Sequence, residues 1–398
     1  MGTIINLGVG RLELDWGKNE NFINHSKLFN KTDIRKEDYF YIDDEEKFYA
    51  EKQDAYSAPL SKIKLRLDLL GYNLPGIKKI YNDYIDWHKQ YNTGKVIRFN
   101  ALLNVIEKID VDAVDFCDEE KYEENGYAPG EYFRDCVLEK LDIKDRSRIN
   151  DLECFYENIP PYVILRMLVE NEDNLSKRLI WRYSDLLCEG WVEEDSLYEE
   201  LTDKDKYLII TEGTSDLFVL KKAIDLLHPE ISDFFSFIDM EDNYPFSGTG
   251  NLYKFVNGLT RINPLNKILV IFDNDAEGVE KFDKCKKLKL PKNIKIVKLP
   301  DLKSNKFLTM GPTGNKVMNI NGLAVSIECF FDLKYQNGEP IIRWSSYNQN
   351  IGRYQGALED KEKYIQIFKK NNKRDDYDLS NLGVLVDYVI GQCTSFGK

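Results

Sequence analysis

The sequence has little of what several common kinds of site require. It has three histidines and seven cysteines in 398 residues, and no two cysteines form a CxxC pair. We therefore expect neither a zinc site nor a disulfide framework, and the thiols are best interpreted as reduced, in a cytoplasmic protein. No apolar run reaches the roughly 18 residues of a membrane span. A GxxxxGK[ST] run is also missing, so no P-loop ATPase is predicted.

Negative charge predominates, but it is spread unevenly. The formal net charge is −13. Residues 1–205 carry 28 Lys and Arg against 44 Asp and Glu, whereas residues 206–398 carry 27 against 24. Nucleic-acid binding depends on local positive charge, which only the second half can supply. We expect the acidic first half to contact protein, either a regulatory partner or a second copy of the chain.

The first 200 residues combine a β-rich start with helices. Short apolar runs at 4–8 and 11–15 are interrupted by Gly8 and Gly10, as in a hairpin. Leucine and isoleucine then recur at helical spacing from Leu60 to Leu70, before a capping Gly71, and Pro75 opens a second helix. Further helical patterns lie near 98–109, 129–141, 160–170 and 173–188. This pattern predicts an α+β, mostly helical N-terminal domain over 1–200.

Strands and helices alternate in the second half. The predicted strands are 207–211, 234–238, 267–272 and 294–299, and the helices between them are 216–227, 251–260 and 277–288. This alternation predicts an α/β fold, with a Rossmann-like, parallel four-stranded sheet flanked by helices in a domain over 205–335. Helical patterns near 358–371 and 379–391 predict a C-terminal helical extension, 336–398, packed on that domain.

Acidic residues follow the predicted strands. Glu212 ends the first strand within EGTSD, Asp273 and Asp275 end the third within DNDAEG, and Glu328 lies later, after Ile327. Ligand sites in open α/β sheets form at the carboxyl ends of strands, so these side chains can converge. Several carboxylates repel one another unless a cation compensates them, and oxygen ligands alone favour Mg²⁺ or Mn²⁺. A lone DxD is commonly a turn or a helix cap. The set of motifs in one βαβ frame favours a metal site.

This set resembles the Toprim domain of topoisomerases, primases and OLD-family nucleases. The resemblance covers residues 205–335 and implies catalytic roles for Glu212, Asp273 and Asp275. It also implies metal binding by those three residues together with Asp216 and Glu328, the extra acids of the OLD-like branch. A basic residue beyond the last Glu is implied too, and Lys361 is the residue that could stabilise phosphate charge in the transition state. Many other lysines lie nearby.

The N-terminal region resembles the domain named for its association with HEPN and Toprim proteins. The matching stretches are Asp15-Trp16-Gly17-Lys18-Asn19 and the helix end from Leu65 to Tyr72. Proteins with this pairing are similar to bacterial antiviral effectors. The HEPN ribonuclease signature, an Arg followed four to six residues later by His, is missing at all three histidines. Catalysis is therefore expected from the Toprim-like half.

Two features are candidates for contact with nucleic-acid phosphate. The loop Ser247-Gly248-Thr249-Gly250 precedes a helix, where backbone N–H groups of Gly248 and Gly250 could cradle a phosphate. Residues 281–306 contain ten lysines, among them Lys286 and Lys287, which could follow a phosphate backbone. The alternative for these lysines is the solvated face of an edge helix and strand.

The leading hypothesis from the sequence is a Mg²⁺- or Mn²⁺-dependent endonuclease that hydrolyses phosphodiester bonds in DNA or RNA, such as transfer RNA, in antiviral defence. A topoisomerase or primase on the same domain is the second hypothesis. It would need a nucleophilic tyrosine and a DNA clamp, for which the acidic N-terminal half is poorly suited. A non-catalytic adaptor that docks a partner protein is the third.

Overall fold

The computed structural model divides the chain into two units, Met1–Glu200 and Leu201–Lys398. It describes residues 7–10, 12–15, 23–42, 48–91, 96–112, 132–141, 149–188, 190, 192–238, 248–262, 264–304, 306–311, 314–334, 339–371 and 377–396. The predictions for 4–6, 16–19, 129–131 and Ser247 lie outside these residues. Among the helices described, none combines the length and the apolar character that crossing a membrane requires.

The first unit contains a five-stranded antiparallel sheet in the order β2-β1-β5-β4-β3. Its strands are β1 Leu7–Val9, β2 Leu12–Asp15, β3 Ile34–Ile42, β4 Phe48–Pro59 and β5 Arg178–Trp181. Its helices are α1 Leu60–Leu67, α2 Leu74–Tyr91, α3 Phe99–Ile106, α4 Ile149–Glu157, α5 Pro161–Leu168, α6 Ser184–Cys188 and α7 Glu194–Leu197. The predicted hairpin and the predicted first two helices are thereby confirmed where they are described.

Several sequence features explain these boundaries. Gly71 has φ +97°, the left-handed conformation that ends the first helical segment and that glycine adopts at little cost.

The predicted helix over 173–188 is wrong in its centre. Arg178-Leu179-Ile180-Trp181 is strand β5, inserted between β1 and β4 with Leu179 and Trp181 buried. Pairing on both edges outweighs the helical spacing of the apolar residues, which was too short to decide between helix and strand.

The second unit contains the predicted parallel sheet. Four strands pair in the order β10-β8-β6-β7, and every pairing is parallel. They are β6 Tyr207–Ile210, β7 Phe235–Phe237, β8 Lys267–Phe272 and β10 Ile294–Lys298. The connecting helices are α8 Thr214–Leu227, α9 Thr249–Ile262 and α10 Ala276–Cys285. Apolar residues of β8, such as Val270 and Phe272, pack against Leu252 and Val256 of α9.

A second sheet follows, and it corrects the predicted helical extension. Its order is β12-β11-β14-β15. The strands are β11 Lys306–Met310, β12 Lys316–Asn319, β14 Ile341–Asn348 and β15 Arg353–Leu358, and a short pair joins β9 Asn274–Asp275 to β13 Ala324–Val325. Because β11 pairs with β14, the boundary predicted at 335 would cut through one sheet. The helical prediction holds only for the end of the chain, as α11 Lys361–Lys370 and α12 Ser380–Thr394.

Short helices complete the description. The 3₁₀ segments are Ser26–Leu28, Lys31–Asp33, Leu138–Lys140, Glu172–Ser176, Pro229–Phe234 and Ile327–Phe330. The π segments are Asp68–Tyr72 and Phe133–Val137. The segment Ile327–Phe330 carries Glu328, the last of the predicted acidic residues.

Candidate functional site

Glu212 joins the ends of two neighbouring parallel strands. It lies two residues beyond β6 and is buried. One carboxylate oxygen accepts a hydrogen bond from the backbone N–H of Asp273 at 3.0 Å, and the other accepts one from the Thr249 hydroxyl at 2.6 Å. The backbone N–H of Gly248 donates to the Glu212 carbonyl at 3.1 Å. The glycine-rich loop therefore holds this carboxylate at the end of β8.

Asp273 and Asp275 follow β8 and lead into α10. Asp275 caps the helix, because one of its oxygens accepts from the N–H of Gly278 at 2.7 Å and the other accepts from the Gln355 side chain. A Cβ atom on Gly278 would lie 2.1 Å from the carbonyl oxygen of Asp273. The glycine of the DxDxxG motif thus allows the first turn of the helix to pack directly on the backbone of the first aspartate.

Asp216 and Glu328 complete the acidic group. Asp216 lies in the first turn of α8 and accepts a hydrogen bond from the Gly213 N–H at 3.1 Å. Glu328 lies in the 3₁₀ segment and is 2% exposed. Burial raises the pKa of Asp273 well above its ordinary value, and the charges of Glu212, Asp216, Asp275 and Glu328 raise it further. The other four acids therefore all lie within electrostatic range of Asp273.

The same repulsion acts on the neighbouring carboxyls. Burial raises the pKa of Glu212 to about 7, with Asp275 adding to the shift and the Thr249 hydrogen bond opposing it. Burial also raises the pKa of Asp216 to about 7, and the charges of Glu328 and Glu212 contribute. The charge of Lys361 lowers the pKa of Asp216, which puts this lysine near the acids although it is exposed at the start of α11.

The chemistry of these donors fits a hard divalent cation. Carboxylate oxygens are the preferred ligands of Mg²⁺ and Mn²⁺, and a cation would relieve the repulsion among the five acids. Yet within the described ranges no three His, Cys, Asp or Glu side chains are grouped closely enough to hold a metal ion as they stand. The protein itself donates to both oxygens of Glu212 and of Asp275. A metal would use their remaining lone pairs or replace some of these hydrogen bonds.

The predicted phosphate-binding residues separate into two places. Gly248 and Gly250 lie at the start of α9, beside Glu212, and Gly248 has φ +88°. Lys286 and Lys287 follow the last residue of α10, whose first turn is at the acids. Ten helical residues span about 15 Å, so these two lysines lie at the far end from the acids. The ammonium group of Lys286 lies over the Phe282 ring and near Asp283.

Two further residues, Gln355 and Asn274, shape the site without having been predicted from the sequence. Gln355 of β15 bridges the helix start, donating to Asp275 and accepting from the N–H of Glu277 at 3.0 Å. Asn274, between the two aspartates, is fully buried and accepts from Lys298 at 2.9 Å. Its amide nitrogen donates to Asp301 at 2.7 Å. A polar residue between two acids was the only available signal for Asn274. Nothing in the sequence indicates Gln355, which is 80 residues from its partner.

The family comparison concerns the first unit. Residues 1–205 match the family model described as HEPN/Toprim N-terminal domain 1. The chain belongs to this family. The match supports the resemblance drawn from the N-terminal sequence, and the HEPN/Toprim N-terminal domain of this chain includes the five-stranded sheet and helices α1 to α7. No curated protein and no solved structure matches the chain.

Proposed function

We propose that the chain is a Mg²⁺- or Mn²⁺-dependent nuclease of the Toprim type, of the OLD-like branch, that hydrolyses phosphodiester bonds in nucleic acid. The observation that carries the proposal is the hydrogen bond from the Asp273 N–H to the Glu212 carboxylate at the carboxyl ends of β6 and β8, with the charges of Asp216, Asp275 and Glu328 also acting on Asp273. Five same-sign charges destabilise a fold, and such clusters are typical of functional sites. The family name, HEPN/Toprim N-terminal domain, is consistent with this activity.

In this proposal the five acids hold the metal. A divalent metal supplies charge stabilisation at the scissile phosphate and orients water for attack. Glu212 is fixed by Thr249 and by the backbone of Asp273, so its carboxylate is positioned before substrate binds. Two roles are open to Glu212 in this proposal, a general acid or base at the reacting oxygen and a ligand of the metal. Lys361 would stabilise negative charge on the phosphate.

The proposed setting follows from the same resemblance. We propose a cytoplasmic antiviral effector, with the acidic N-terminal domain binding a regulatory partner or a second copy of the chain. One observation favours the non-catalytic alternative, an adaptor. Within the described residues, no three acids form a ready-made metal group. Calorimetric titration with Mg²⁺ and Mn²⁺ separates the two, because an adaptor would take up neither ion at the acids.

The direct test is incubation with plasmid DNA and with total RNA in Mg²⁺, Mn²⁺ or EDTA. We expect metal-dependent cleavage that falls by at least about a thousandfold in Glu212→Gln and Asp273→Asn, because both charge and metal ligands are lost. Unchanged circular dichroism would show that the fold survives. The control is Glu230→Gln, which alters an acid bonded to His228 outside the site. Equal cleavage by the wild type and both variants would refute the assigned roles, and a covalent protein–DNA adduct would favour a topoisomerase.

A further inference from the structure

The hairpin formed by β14 and β15 exposes a group of aromatic rings. Tyr347 and Tyr354 are 52% and 46% exposed, although large apolar rings are usually covered. They lie opposite each other in the hairpin, with ring centroids 5.0 Å apart. The Trp344 ring follows at 6.0 Å from Tyr354. Three rings therefore form a continuous row along one face of the hairpin.

Two glycines let the backbone pack closely against the Trp344 indole of this row. A Cβ atom on Gly311 would lie 2.5 Å from the Trp344 indole, and one on Gly356 would lie 2.8 Å from it. The indole thus lies against main chain at both glycines, and a side chain at either position would lift it. The row is held by packing from below while its outer members stay accessible to solvent.

The charge of this sheet is opposite to that of the chain. Its four strands carry four basic residues and no acidic one, although the net charge of the protein is −13. The basic residues are Lys306, Lys316, Arg343 and Arg353. Arg343 pairs with Glu359 at 2.7 Å, whereas no ion pair to a described carboxylate is found for the other three. The sheet is complementary to a polyanion and poorly suited to a cationic partner.

The opposite face of the hairpin reaches the acidic site. Side chains alternate along a strand, so Arg353 and Gln355 point away from the Tyr354 ring. Gln355 donates to Asp275. A Cβ atom on Gly322 would lie 3.0 Å from the Arg353 guanidinium and 4.0 Å from the side-chain oxygen of Asn274, which separates the two site aspartates. β15 is the last strand of its sheet, and its Gly356 N–H donates to the Leu323 carbonyl at 3.1 Å, so this strand lies between the ring face and the segment next to the acids.

We propose that this hairpin binds the substrate as a single strand, with unpaired bases stacked on Tyr354 and Tyr347 and a phosphate held by Arg353 beside the acids. The proposal rests on the proposed function, because it assumes that the acids act on nucleic acid. Exposed aromatic rings close to a basic residue that can hold a phosphate are what sequence-tolerant single-strand binding requires. A duplex keeps its base faces buried and could offer only its phosphates to this surface.

Fluorescence anisotropy of the full chain in EDTA, with a labelled 20-nucleotide single strand and the matching duplex, tests the proposal. We expect tighter binding of the single strand. Tyr354→Ala and Tyr347→Ala should each raise Kd about tenfold, about 1.4 kcal/mol, while Tyr354→Trp keeps the affinity because it keeps a ring. Tyr49→Ala, which removes a 50%-exposed tyrosine of the first unit, should leave Kd unchanged.

Salt dependence tests the phosphate contact separately. Arg353→Gln should reduce the slope of log K against log salt by about 0.7, the value for one phosphate contact on a single strand. Equal affinity for the duplex, or wild-type Kd in both tyrosine variants, would overturn the proposal. So would dissociation of a dimer in those variants by analytical ultracentrifugation with no change in Kd, since the rings would then contact a second copy.

Binding in EDTA is scored without cleavage, so the two proposals can fail independently. If Glu212→Gln still cleaves while the tyrosine variants lose binding, the nuclease roles are wrong and the hairpin surface stands. If cleavage requires Glu212 but the tyrosine and Arg353 variants bind and cleave as wild type, only the hairpin proposal fails.

Discussion

Buried charges are paired with opposite charges in the first unit of the chain and grouped with charges of the same sign in the second. In the first unit, the buried guanidinium of Arg166 donates to Asp68 at 2.7 Å and also to Glu170, which in turn pairs with Lys64 at 2.9 Å. In the second unit, the charges of four other carboxylates all raise the pKa of Asp273. A paired network supports folding, whereas a same-sign cluster costs stability. The comparison indicates that the first network maintains the fold and the second cluster serves a ligand or a reaction.

Glu13 is an exception in the first unit. Burial raises its pKa to about 7, with the Arg182 charge acting against the shift and the Asp15 charge adding to it. It lines a small pocket with Leu12, Ile164 and Tyr156, and the buried Tyr156 hydroxyl has no hydrogen-bond partner among the described residues. A single perturbed acid differs from a cluster of five, so the contrast between the units stands.

The largest expected effect on stability comes from removing the centre of the paired network. Arg166→Met should lower the free energy of unfolding by about 4 kcal/mol, because Asp68 and Glu170 would be left with a buried like-charge contact. Urea denaturation of the wild type and of this variant measures the loss in the free energy of unfolding. Arg98→Met, at an exposed position, is the control and should stay within about 0.5 kcal/mol of wild type. A loss below about 1 kcal/mol at Arg166 would contradict a stabilising role.

The next effect concerns the backbone that carries the acidic cluster. Gly278→Ala should destabilise by about 3 kcal/mol, because its Cβ would overlap the Asp273 carbonyl at 2.1 Å and the helix would have to move. Cleavage should fall with it, since Asp273 shifts. Gly258→Ala in α9 has no atom within 4 Å of the added methyl and should stabilise slightly. Thermal denaturation of both variants tests this difference. Equal melting temperatures for Gly278→Ala and Gly258→Ala would rule out an overlap between the added Cβ and the Asp273 carbonyl oxygen.

The parallel sheet was predictable because its signals are local. Each strand is a short apolar run, the first three are each followed by a helical pattern, and acids stand where strands end, as in Phe272-Asp273. The segment after 300 lacked such signals. Strands β14 and β15 mix Arg343, Ser345 and Tyr354 with apolar residues, and half of each strand faces solvent. Their pairing is fixed by contacts with β11 and with the start of α10, which no short window reveals.

The site was predictable in its acids and less so in its supporting residues. Convergence of Glu212 and Asp273 follows from strand order and parallel direction, which the alternation of elements fixes. The contacts of Gln355 depend on where a distant hairpin packs. Lys286 and Lys287 lie at the end of α10 away from the acids, which charge density along the chain could not reveal, and their contact with phosphate stays a prediction.

A pH measurement extends the comparison to a paired acid of the second unit. Glu280 is buried and bonded to Lys284, Asn348 and Lys281, and these contacts, Lys284 foremost, lower its pKa to about 2. A lowered pKa stabilises the fold above the unfolded value near 4.5 and loses that effect as pH falls toward 2. Glu280→Gln should therefore cost about 2 kcal/mol at pH 7 and about 1 kcal/mol near pH 3. Urea denaturation at pH 7, 5, 4 and 3 measures the difference, and a pH-independent one would contradict the ionic origin.

The smallest effect is the most direct test of the contrast, because the two variants should differ in sign. In EDTA, Asp216→Asn should raise the free energy of unfolding by about 1 kcal/mol, since one repelling charge leaves the cluster and the amide oxygen can still accept from Gly213. Glu170→Gln should lower it by a similar amount. Although burial works to raise the pKa of Glu170, the hydrogen bonds of Arg166 and Lys64 outweigh it and lower that pKa, so its charge stabilises the fold.

Both variants remove one negative charge, so a net-charge effect would move both melting curves in the same direction. Shifts of the same sign would mean that the acids of the second unit are compensated after all, and the argument for a ligand site there would lose its electrostatic basis.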